Sequence, residues 1–126
     1  MTRRPFEYAI LRAVPRVDRG EFVNVGVMLY CQADDYLSAR SHVDPERLRA
    51  LDPDADVAAI EAALAAVEAA CSGDPSAGPA GEGPPGARFR WLAAPRSTVV
   101  QAGPVHSGLT ADPARELAHL LARLVH

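Results

Sequence analysis

Lysine is missing altogether: all 13 basic side chains are arginine. That excludes an imine-forming lysine nucleophile and the lysine of a phosphate-binding loop. Aromatic residues are scarce at 6%, with Trp91 the one tryptophan. Only two cysteines occur, Cys31 and Cys71. No Cys-x-x-Cys pair or neighbouring His pair accompanies them, so they do not read as a zinc site. No apolar run reaches the roughly 18 residues of a membrane helix, and the Met1–Pro5 start does not read as a signal peptide. The expectation is therefore a cytoplasmic protein without membrane contact, its cysteines reduced and buried as small apolar residues. Glycines 78–86 are laced with proline and open no helix, so no phosphate loop forms, and no cofactor is expected. Internal repeats are absent too.

What is present describes one globular domain. At 126 residues and 48% apolar content, the chain suffices for a single core without disulfides or metal and is too short for two. Heavy alanine use beside the missing lysine reads as compositional drift in a GC-rich genome. The net charge of −3 and the few aromatics argue against a nucleic-acid partner.

The first 42 residues read as an antiparallel meander. Phe6, Tyr8, Ile10 and Val14 fall on one face of a first strand, with Ala9, Leu11 and Ala13 on the other. Pro15–Gly20 is a turn. Phe22–Cys31 is apolar on both sides, as in a covered interior strand, with Val23, Val25, Val27, Leu29 and Cys31 assigned to one face. Tyr36–His42 is more polar and closer to an edge. Asp44-Pro45 opens a helix, and Asp52-Pro53 opens a longer one, over 53–71, carrying the seam Val57, Ile60, Leu64, Val67 and Cys71. Ser72-Gly73 ends it. With four Pro and four Gly in 13 residues, 74–86 reads as a flexible, unpacked surface loop. Phe89, Trp91 and Leu92 form an apolar anchor, either strand or helical turn. Ser97–Gln101 reads as a fourth strand, Gly103–Gly108 as a loop holding His106, and 112–125 as a final helix. The fold class is α+β: an antiparallel sheet of about four strands, a meander of three plus one, with two main helices packed on it.

Charge is unevenly placed. Met1–Arg19 carries five arginines against Glu7 and Asp18, and Gly86–Thr110 has three arginines and no acid, while Asp34–Pro75 holds ten acids against three arginines. Either the basic ends meet in a cationic pocket for an anionic ligand, or the arginines pair with the acidic helices. Asn24 and Gly26, placed on one face of an apolar strand, are either a site floor or a structural tie and a seat for a packed ring. Ser97 and His106 with Glu21 or Asp18 lack the Gly-x-Ser-x-Gly context of a hydrolase triad. None of His42, His106 and His119 stands four residues from another histidine, so no metal site is expected.

Three stretches carry a resemblance: Tyr8–Pro15, Arg19–Leu29 and Trp91–Gln101, followed by Pro104–Gly108. Together they resemble the bacterial family known as domain of unknown function 3037. The resemblance implies a small stand-alone protein with no established activity to carry over. It also implies an accessory role beside a HipA-like kinase, with Arg19, Glu21, Asn24, Arg96, Ser97 and His106 as the residues to suspect. Two readings stand at this point. One is a non-catalytic partner of another bacterial protein, with self-association open. The other is a phosphate- or carboxylate-binding or hydrolytic site around Arg19, Arg96 and His106.

Overall fold

The computed structural model describes residues 2–126. Strands β1 (Arg4–Ala13), β2 (Val23–Cys31) and β3 (Tyr36–Ser41) form the expected meander. A fourth strand, β4 (Val100–Thr110), pairs antiparallel with β1, giving the order β3-β2-β1-β4. Four α-helices complete the α+β fold: α1 (Pro45–Leu51), α2 (Val57–Ser72), α3 (Pro85–Ala93) and α4 (Pro113–Leu124).

Local chemistry sets the helix ends. Asp44 and Asp112 each precede a proline at the first helical turn, and their side chains accept from the backbone N–H of Glu46 and Arg115. A carboxylate there satisfies a donor that has no partner within the helix. Asp52-Pro53 does not start α2 as its sequence promises. Asp52 instead accepts from the Asp54 N–H in a turn, and the cap falls to Asp56, which accepts from Ala59. Gly73, at φ 72°, closes the helix as expected.

Two packing clusters cover the sheet. On one face α1, α2 and α3 bury Leu48, Ile60, Leu64, Cys71, Phe89 and Leu92 against Ala9, Leu11, Val23, Val25 and Met28. On the other, α4 buries Leu117, Leu120, Leu121 and Val125 against Phe6, Val27, Leu29 and Cys31. The two cysteines thus lie on opposite faces, each a free buried thiol.

Alternation along β2 breaks at a bulge. Leu11 pairs with Gly26 and Arg12 with Asn24, so Val25 is the extra residue. Val25 and Gly26 both turn toward α2, where a Cβ on Gly26 would lie 2.8 Å from the Arg40 carbonyl oxygen and 3.2 Å from Leu11. Val23 and Val25 therefore belong to the cluster opposite that of Val27, Leu29 and Cys31. The single face read from the sequence is corrected, and Asn24 and Gly26 lie on different faces.

The C-terminal third departs further from its sequence pattern. The anchor around Phe89 is helix α3, opened by Pro84-Pro85. Within 74–86, turns over Pro75–Gly81 bring Ala77 and Ala80 against the core, so this segment packs in part. Gly103–Gly108 is no loop but the body of β4. Gly103 and Pro104 oppose Ile10 in a second bulge, and Gly108 pairs with Phe6, whose ring lies where a side chain would be.

Candidate functional site

Helix α4 packs over β2 and β3 and over the Phe6 end of β1. Tyr8, Ile10 and Arg12 continue the same face of β1 as half-buried residues beyond that cover. Their neighbours on β4 are His106, opposite Tyr8, and Gln101, opposite Arg12. The Tyr8 and His106 rings lie 5.2 Å apart. Phe22, 45% exposed, closes one end of the face.

Arg12 is the centre of this surface. Its guanidinium carbon sits 4.2 Å from the centre of the Phe22 ring. Gly103 also lies against it: a Cβ there would come within 3.0 Å of that carbon. The cation therefore packs against both an aromatic ring and a bare stretch of backbone, contacts that suit a planar guanidinium better than an ammonium. Its Nε is shielded from solvent and has no hydrogen-bond partner among the described residues. The flanking amides are turned to other partners: Asn24 Nδ2 donates to the Leu124 carbonyl at 3.2 Å and Gln101 Nε2 to the Thr98 carbonyl at 2.8 Å, and neither side-chain oxygen accepts from the Arg12 Nε–H. A shielded donor with nothing to donate to is costly unless an acceptor arrives, and a carboxylate suits a guanidinium best.

Arg88 shows the contrast. Its Nε is also unpartnered, but its Nη1 donates to the Ala70 and Cys71 carbonyls at 2.8 Å each, closing the end of α2. Its role is structural.

The residues singled out from the sequence do not gather at one point. Arg19 is ion-paired with Glu21 at 2.7 Å on the exposed β1–β2 connection. Asn24 ties the last turn of α4 to the sheet. Arg96 stacks on Trp91 at 4.2 Å and donates to the Leu92 carbonyl, on the side of the sheet that carries α2 and α3. Ser97 is exposed beside it, whereas His106 lies on the α4 side against Tyr8. Sequence reasoning missed Arg12, though a signal existed. It is the one charge in the run Tyr8–Val14 and shares the alternation of Phe6, Tyr8 and Ile10.

These features define a small α+β domain with an asymmetrically covered sheet and a cationic, aromatic patch on the open half. The chain belongs to the family described as protein of unknown function DUF3037, whose model matches residues 8–125. No curated protein and no solved structure matches it. Among the described residues no helix is long and apolar enough to cross a membrane.

Proposed function

We propose that this protein is a non-catalytic binding module, an accessory partner that seats an acid-bearing segment of another protein on the open face of β1 and β4. The observation that carries the reading is Arg12, whose shielded Nε lacks an acceptor beside an exposed aromatic ring. Arginine and aromatic side chains of this kind dominate the energetics of protein interfaces. The family resemblance makes a bacterial HipA-like kinase the first partner to test, in a cytoplasmic setting that two free buried thiols suit.

The test is co-purification with that kinase, followed by titration of the pair. Arg12→Ala and Phe22→Ala are each expected to weaken the complex roughly 30-fold or more, the size of an interface hot spot. Arg96→Ala, on the opposite side, leaves it unchanged. Circular dichroism checks that the variants remain folded. Wild-type affinity in the Arg12→Ala variant would remove the open face as the docking site. A thermal shift by phosphate or small carboxylates that Arg12→Ala abolishes would identify a free anion, rather than a protein, as the ligand.

A further inference from the structure

Strand β4 lies at the edge of the sheet, with no strand on its outer side among the described residues. Natural edges are guarded by charge, proline, bulges or short length. The other edge, β3, is six residues long, carries Arg40 and is flanked by α2 and α4. β4 is 11 residues long. From Ser97 to Ala111 the sequence contains no Asp, Glu, Lys or Arg. Pro104 and its bulge blunt the first half of this edge. From Val105 to Thr110 no such guard is present. Within that stretch Val105 and Leu109 are 42% and 53% exposed.

We infer that β4 pairs antiparallel with β4 of a second copy, about a two-fold axis at Ser107, to make a continuous eight-stranded sheet. The occupant follows from self-complementarity. In this register Val105 lies opposite Leu109 of the other copy, and Leu109 opposite its Val105. Opposed residues share a face, so both apolar pairs form on the side that carries α3. On the other side each His106 meets Gly108 of the second copy, which contributes no side chain of its own, and the Phe6 ring above it. The two-fold makes the interface isologous and closed, so assembly stops at the dimer. The edge backbone over the five residues Val105–Leu109 is matched by an extended strand, and this strand matches its own copy. The inference is independent of the role of Arg12.

Sedimentation velocity over a concentration series tests it. The wild type is expected to dimerise. Val105→Lys and Leu109→Lys should each weaken the dimer roughly tenfold or more, because symmetry makes each substitution act twice. Both positions are exposed, and unchanged melting will show that the monomer fold is intact. The register has its own test: Val105→Lys combined with Leu109→Glu places opposite charges across the two-fold and should restore the dimer. Within one chain these positions are about 13 Å apart, too far to pair. A wild type that is monomeric throughout overturns the proposal, as does a dimer indifferent to Leu109→Lys. Failure of the double variant to recover association overturns the Ser107 register. Arg12→Ala should leave the dimer unchanged, which keeps this result separate from that of partner docking.

Discussion

Cys71 shows what burial does to a reactive atom. Carried on the buried face of α2, its thiol is pushed up from an ordinary 9.0 to about 12, chiefly by desolvation of the thiolate. It should resist iodoacetamide in the native protein at pH 8 and react once the chain is unfolded. The sign for stability follows. The unfolded thiol ionises near pH 9 and the folded one does not, so its contribution is complete below 9 and is lost as pH rises toward 12. Urea titrations at pH 8 and pH 10, compared between wild type and Cys71→Ala, will read that difference. The all-arginine composition also gains a physical meaning at this scale. Arg4 and Arg90 each fork onto a carboxylate, Asp34 and Glu7, while Arg12 and Arg96 lie over rings. Each of these arrangements uses a flat, multi-donor group that lysine lacks.

Among the elements, the β2 bulge decides which side chains face which helices. Gly26→Ala would drive a methyl group to 2.8 Å from the Arg40 carbonyl, with strand backbone as the obstacle. The expected loss is about 1–3 kcal/mol, seen as a lower urea midpoint at unchanged slope. The same bulge marks where the sequence stops being legible. Helix caps are local, and Asp44, Asp112 and Gly73 announce themselves through residues a few positions apart. The apolar seam of α2 and the meander are legible for the same reason. A bulge depends on the partner strand, and nothing within Val23–Cys31 reports that Val25 will be left unpaired. β4 hides likewise. Gly103, Pro104 and Gly108 look like breakers until β1 supplies Arg12 and Phe6 to lie across them. The candidate site, being a juxtaposition of β1, β4 and Phe22, was legible only as the oddness of one arginine. The suspected residues Arg19, Arg96 and His106 could not be sorted by face without knowing where β4 begins.

At the scale of the whole molecule, α3 is fastened to the sheet by Arg90, which donates to both Glu7 carboxylate oxygens at 2.8 and 2.7 Å. Those hydrogen bonds hold the Glu7 carboxyl below its ordinary 4.5. The stability it contributes is therefore present above about pH 4.5 and is lost as pH falls through the lowered value. Both side chains are partly in water, which limits the pair to about 0.2–1 kcal/mol. Glu7→Gln should cost that much at pH 7 and nothing once both proteins are compared in acid below that titration, as read by denaturant melts. The sheet order has a consequence in time. β1 is made before the other three strands, yet it is an interior strand whose outer neighbour, β4, is the last of the four to be made. At about 5–20 residues per second, a ribosome needs roughly 4–16 s between completing Cys31 and Thr110. Throughout that interval the outer side of β1, with Tyr8 and Ile10, is a raw strand edge on a nascent chain. Protection of β1 during synthesis then depends on whatever meets the chain as it leaves the ribosome, until its own C-terminal strand arrives to close the sheet.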